Sequence, residues 1–171
     1  MKSQRQRIIA ISGVKDSGKT TLITNLIPLL QEKQLKVATI KHDGHDFIPD
    51  VKGTDTYKHR ESGAYGVGIF SSNKWMIIKE EREISISSLI NQFPEADLIL
   101  LEGFKYSNFP KIEIIRREVS LSPVSDPKTV IGYVSDLGVI SPNIKQFKLD
   151  EIKELAEYMY NYIIKEQVGD K

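Results

Sequence analysis

Short apolar runs alternate along the chain with longer stretches in which apolar residues return every three or four positions. Ile8 to Ile11 is a compact apolar run of the kind a buried strand presents. From Thr20 to Leu30 the apolar positions keep helical spacing, which predicts a helix running to about Lys33, and Lys36 to Ile40 predicts a second strand. A helix between two such strands is expected to form a right-handed parallel crossover unit. Thr54 to Ser62 reads as a helix with Thr54 as N-cap and Gly63 as its stop. Ala64 to Ser71 and Trp75 to Lys79 are β-rich and are separated by Ser72-Asn73-Lys74, so a hairpin is expected, with its antiparallel pair at one sheet edge. Ser85 to Gln92 predicts a short helix. Leu98 to Leu101 is wholly apolar, as in a strand covered on both faces. Lys111 to Ile115 and Thr129 to Val134 predict further strands. From Leu149 to Lys165, Ile152, Leu155, Ala156, Met159, Tyr162 and Ile163 fall on one helical stripe, with Asp150 and Glu151 at its positive end.

Between the first strand and the first helix stands Gly13-Val14-Lys15-Asp16-Ser17-Gly18-Lys19-Thr20, the G-x-x-x-x-G-K-[ST] phosphate loop. Strand, loop and helix come in the required order. Gly13 and Gly18 let the backbone turn successive N–H groups inward around a phosphate, and the helix start adds its unpaired N–H groups and dipole. Lys19 is placed to reach β- and γ-phosphates, and the Thr20 hydroxyl to ligate Mg²⁺. The candidate nucleotide-binding residues are therefore Gly13, Val14, Lys15, Asp16, Ser17, Gly18, Lys19, Thr20 and Thr21. The plain alternative is a glycine-containing turn with a solvated lysine, and it must account for Gly18, Lys19 and Thr20 together in a strand-to-helix setting. The motif refines the fold class to an α/β P-loop NTPase: a three-layer sandwich with a mostly parallel sheet, the hairpin at one edge, one domain over residues 1–171 and a basic tail at 1–7.

The apolar strand ending Leu101-Glu102-Gly103 has the form of a Walker B element, in which a buried strand delivers an acid to the edge where Mg²⁺ or an attacking water is held. Glu102 is accordingly a candidate catalytic residue beside Lys19, and a candidate Mg²⁺ ligand beside Thr20. Asp97, at the strand's other end, is expected to be structural. Lys105 stands two residues past Gly103, placed either to neutralise phosphate charge or simply on the surface. The polar segment from His42 to Asp50 follows the second strand, so a parallel sheet brings it to the same edge. It reads as a substrate- or Mg²⁺-facing loop with Asp50 a candidate ligand, against a zinc site or a merely solvated loop. Asp136 follows the strand ending at Val134, where its carboxylate can accept from a guanine N1–H and amino group or serve a turn. The guanine signature N-K-x-D is absent.

Composition narrows the partners. Lys plus Arg number 24 against 23 Asp plus Glu, a formal net charge of +1, so nothing global favours nucleic acid and any anion site is local. The chain has no cysteine, which removes disulfides, thiolate zinc sites and cysteine nucleophiles. The apolar stretch after the basic start is broken at Ser12-Gly13, too short for a signal or membrane helix, so a cytoplasmic location without membrane attachment is expected.

With these residues in view the chain resembles the molybdopterin-guanine dinucleotide biosynthesis adaptor family, MobB. The resemblance is carried by Gly13 to Leu22, by Lys41 to Phe47 with Asp55 to Ala64, and by Asp97 to Lys105. It implies a GTP-binding P-loop protein with weak GTPase activity, Gly13 to Thr21 as the phosphate and Mg²⁺ site and Glu102 as the Walker B acid. It also implies GTP and Mg²⁺ as ligands and the molybdenum cofactor guanylyltransferase as partner, with molybdopterin as a further candidate ligand and a homodimer as the assembly. The competing reading is a small-molecule kinase that transfers the γ-phosphoryl group. Such kinases carry an Arg-bearing lid, and the Arg-containing segments here, Glu80 to Glu83 and Arg116-Arg117, make a thin one.

Overall fold

The structure, a computed structural model, describes residues 6–44 and 47–169, with side chains as far as residue 164. The chain divides into two compact units, Met1–His42 with Ile90–Lys171, and Asp43–Leu89. The smaller unit is inserted in the chain between the second strand and the strand that ends at Glu102.

The larger unit is built on a six-stranded sheet in the order β2-β5-β1-β6-β7-β8, with every pairing parallel. Its strands are β1 (Arg7–Ser12), β2 (Val37–Lys41), β5 (Leu98–Glu102), β6 (Lys111–Ile115), β7 (Val130–Ser135) and β8 (Lys145–Phe147). Its long helices are α1 (Lys19–Glu32) and α4 (Ile152–Gly169). Both pack on one face, where Leu22, Ile23, Leu26 and Leu30 of α1 and Leu155, Ala156, Met159 and Ile163 of α4 meet Ile9, Ile11, Leu98, Leu100, Ile112 and Ile114. Lys33 and Glu157 form an ion pair between the two helices.

The other face of the sheet is as dry, with Ala10, Ile99 and Leu101 fully buried, yet in the region of β6 and β7 its cover is largely loop. Two buried charges, Lys111 and Glu113, hold that loop down. Lys111 Nζ donates to Ser107 O at 2.6 Å, Phe109 O at 3.0 Å and Thr129 Oγ1 at 3.0 Å. The Glu113 carboxylate accepts from the amides of Val124 at 2.6 Å and Ser125 at 3.2 Å. Each charge is fully partnered, which is the condition for burying it. Asp97 is structural as expected, accepting from Lys36 N at 2.7 Å where β2 and β5 begin.

The smaller unit holds α2 (Asp55–Glu61) and the hairpin β3 (Gly66–Phe70) and β4 (Trp75–Lys79), and α3 (Ile86–Ile90) lies at its end. Thr54 caps α2 by accepting from Tyr57 N at 3.3 Å. The hairpin pairs antiparallel as predicted, but it forms a two-stranded sheet of its own, which corrects its expected place at the edge of the main sheet.

Candidate functional site

Parallel packing brings the carboxyl ends of β1, β2, β5 and β6 to one edge of the sheet, and the phosphate loop rises from that edge between β1 and α1. The loop's shape follows from residues that accept positive φ. Gly13 stands at φ 141°, Asp16 at 60° and Gly18 at 95°. A Cβ on Gly13 would meet Ile114 O at 2.6 Å and Ser17 Oγ at 2.7 Å, so no other residue fits there without displacing backbone. Left-handed residues within a tight loop turn consecutive N–H groups toward one centre.

The start of α1 is uncapped. No side chain caps it and its first turn has no acid, so the orphan N–H groups and the positive dipole end face the loop. Lys19 adds its charge at the same place, its Nζ donating to Val14 O at 2.6 Å and Gly13 O at 3.3 Å. Burial lowers the Lys19 pKa, the carboxylates of Glu102 and Asp16 oppose that shift, and Lys105 and Lys41 add to it. Four charged side chains thus bear on this ammonium group.

Glu102 closes the arrangement. It is the last residue of β5, in register with Ile11 on one side and Lys41 on the other. Its Oε1 accepts from the Thr20 hydroxyl at 2.7 Å and lies 3.9 Å from Lys41 Nζ. The chain then turns away sharply through Gly103 and Phe104, both at positive φ. A hydroxyl and a carboxylate in contact are hard oxygen donors, the set that holds Mg²⁺ together with substrate phosphates. Among the described residues no group of three His, Asp or Glu forms a metal cage of its own.

The predicted site residues Gly13, Val14, Lys15, Asp16, Ser17, Gly18, Lys19, Thr20 and Thr21 therefore sit in one loop and first helical turn, with Glu102 against them. Asp136 lies at the end of β7 on the same edge, where Oδ1 accepts from Arg117 N at 2.8 Å and so ties two strand ends together. Asp50 belongs to the smaller unit, and its Oδ1 accepts from Val51 N at 2.8 Å and Thr54 Oγ1 at 3.1 Å. Those bonds give it a local role ahead of α2. His45 and Asp46 of the expected ligand-facing loop lie outside the described residues.

Two residues, Lys41, named in the sequence only within the resemblance, and Arg116, named only as part of a thin lid, were not placed at the site by sequence reasoning. Lys41 ends β2, and its place at the site follows once β2 and β5 are known to pair in parallel. Arg116 immediately follows β6, and its Cδ and one terminal nitrogen come within 3.9 Å of the position a Cβ on Gly18 would take. An Arg-Arg pair after an apolar run was the available signal.

The sequence profile of the family described as molybdopterin guanine dinucleotide synthesis protein B, MobB, matches residues 8–136. A molybdopterin-guanine dinucleotide biosynthesis adapter protein of Haemophilus influenzae is 30% identical over 159 residues, covering 91% of this chain and 89% of that one. The protein of the same description from Escherichia coli K12 is 29% identical over 167 residues, covering 93% and 94%. Among solved structures, Bacillus subtilis MobB matches with a TM-score of 0.72 at 23% identity over 91% of this chain and 96% of that one, a likeness of fold. A structure of molybdopterin-guanine biosynthesis protein B matches with a TM-score of 0.68 at 27% identity, over 91% and 99%.

Proposed function

This chain belongs to the MobB family, and on that premise we propose that it is a GTP- and Mg²⁺-binding adaptor of molybdopterin-guanine dinucleotide biosynthesis with weak GTPase activity of its own. The observation that carries nucleotide binding is the convergence of Lys19, Thr20 and Glu102 at an uncapped helix start. Backbone N–H groups and the Lys19 ammonium would hold the phosphates. Thr20 and Glu102 would hold Mg²⁺, which when bound neutralises phosphate charge. Asp50 is the further candidate ligand from the smaller unit, and Asp136 the candidate acceptor for guanine. Weak turnover fits this chain because the groups so far placed at the phosphate end are binding groups, with Glu102 the carboxylate in contact with Thr20 that would orient water.

The partner is the guanylyltransferase that joins GMP to molybdopterin, with molybdopterin itself a further ligand of the complex. The second partner is another copy of the chain. On the hairpin Phe70 pairs with Trp75 and Gly68 with Ile77, so these side chains share one face. Phe70 is 85% exposed, Trp75 63% and Ile77 60%. An apolar face of this kind, on a sheet of two strands among the described residues, suits self-association through a two-fold.

Nucleotide titration of the isolated protein tests the reading. GTP is expected to bind in preference to ATP and to need Mg²⁺ for full affinity, and Lys19→Ala to abolish binding. Glu102→Gln is expected to bind GTP yet hydrolyse it at least about tenfold more slowly. Rapid phosphoryl transfer to a small acceptor without a partner protein would instead make the protein a kinase.

A further inference from the structure

The strand that feeds the phosphate loop ends at Ser12, and side chains alternate along a strand. Ile9 and Ile11 meet the two long helices, so Ser12, immediately before Gly13, points to the opposite face of the sheet. There it is fully buried, and its Oγ lies 3.0 Å from Ser125 Oγ, which is buried as well. Burying a hydroxyl without a hydrogen bond is costly, and each serine meets the other's need.

Ser125 is itself fixed from a third place. Ser12 stands opposite Glu113 in the last pair of the ladder between β1 and β6, and residues paired in this way project to one face. The Glu113 carboxylate takes the amides of Val124 at 2.6 Å and Ser125 at 3.2 Å. The backbone of Ser125 is thereby anchored to β6 while its hydroxyl reaches β1. At the other end of the same segment Arg117 N donates to Asp136 Oδ1 at 2.8 Å. The segment 117–125 is tied at both ends, and through Ser125 it touches the strand that carries the loop.

The phosphate loop needs such a hold. It departs from the regular ladder just after Ser12 and places Gly13, Asp16 and Gly18 at positive φ. A left-handed residue such as Asp16 persists only where its surroundings over-determine it. Resting on the phosphate-loop reading above, we propose that Ser125 is a positioning residue for nucleotide binding. Its hydroxyl holds Ser12, and with it the entry into Gly13, in the arrangement that turns the loop amides toward phosphate. Such a linkage runs both ways. Bound nucleotide steadies the segment 117–125 as that segment steadies the loop.

Titration of the full chain with GTP and Mg²⁺, well below the melting temperature of each variant, tests this beside hydrogen exchange of residues 117–125. Ser125→Ala is expected to weaken GTP by about three- to tenfold, the equivalent of one neutral hydrogen bond. Ser12→Ala should lose as much, and the double variant no more than either, because both changes remove the same bond. In the wild type GTP is expected to slow exchange in this segment. In Ser125→Ala that slowing should be lost, although Glu113 still holds the two amides. A lower melting temperature with wild-type GTP affinity would mark a merely structural bond and overturn the proposal. So would losses that add in the double variant, or exchange in the wild type that GTP does not slow. If Lys19→Ala abolishes binding while Ser125→Ala leaves it unchanged, this inference alone fails. A wild-type chain that binds no nucleotide ends the phosphate-loop reading and this one with it.

Discussion

Gly13 leaves no space for a side chain, and the reason lies on a different strand. The carbonyl that a Cβ would strike belongs to Ile114 on β6, while the φ of Gly13 belongs to the loop itself. Lys19 is governed in the same way by groups from elsewhere. Burial disfavours its charged form and lowers its pKa from 10.5. In the unfolded chain the lysine keeps its proton to higher pH, so between the lowered value and 10.5 the unfolded state binds more protons and stability rises with pH. The whole of the penalty is present below the folded pKa. Bound phosphate favours the ammonium, so binding is expected to take up a proton on the alkaline side, and GTP affinity to fall as pH rises through the lowered pKa. Calorimetric titration in buffers of different ionisation enthalpy reads that uptake directly. No proton uptake at alkaline pH would mean that Lys19 does not meet the phosphates.

At the scale of elements, β6 shows how tertiary structure can reverse a sequence pattern. Lys111-Ile112-Glu113-Ile114-Ile115 alternates in a way that would put Lys111 and Glu113 in water. Both are instead buried on the face opposite the two long helices, where they take the place of a covering helix by anchoring loops. Glu113→Ala is expected to lose about 1.5–3 kcal/mol, the range for hydrogen bonds to a charged group, by leaving the amides of Val124 and Ser125 without an acceptor. For a chain of this size that is a fall in melting temperature of roughly 3–12 °C. An unchanged melting curve would show that those loops do not depend on it. The anchoring also bears on function, because β6 positions Ile114 under Gly13 and delivers Arg116 to the loop.

At the scale of the whole molecule, the smaller unit is poor in buried apolar side chains. Val67 is the buried hydrophobic residue among its described residues, while Phe47, Ile48, Val51, Phe70, Trp75 and Ile77 are well exposed. A two-stranded sheet is marginal by itself, so association through the Phe70, Trp75 and Ile77 face is expected to stabilise this unit. Trp75→Asp should shift the protein to monomer in sedimentation velocity while leaving GTP affinity within about twofold, since truncated interface aromatics commonly cost 2 kcal/mol or more of association. A wild-type chain that sediments as a monomer at all concentrations would remove the dimer from the proposal.

Most of the elements were legible in the chain because their signals are local. The apolar run at Leu98 to Leu101, the helical stripe from Ile152 to Ile163 and the Thr54 cap each depend on residues within one element. β8 was not, being three residues long with Lys145 and Gln146 two of them. The phosphate loop was legible because its glycines, lysine and threonine stand at a fixed spacing within one short stretch of chain. Glu102 was legible because a strand carries it to a known edge. What the sequence determined alone was thus the class of fold, the loop and its acid. Only the tertiary structure decided the order of the strands, and with it that Lys41 and Glu102 stand on one side of the loop and Arg116 on the other. It also decided that the hairpin forms its own sheet and that Lys111 and Glu113 go inside. Those outcomes turn on which distant segments pack together, and backbone periodicity carries no record of a neighbour's identity.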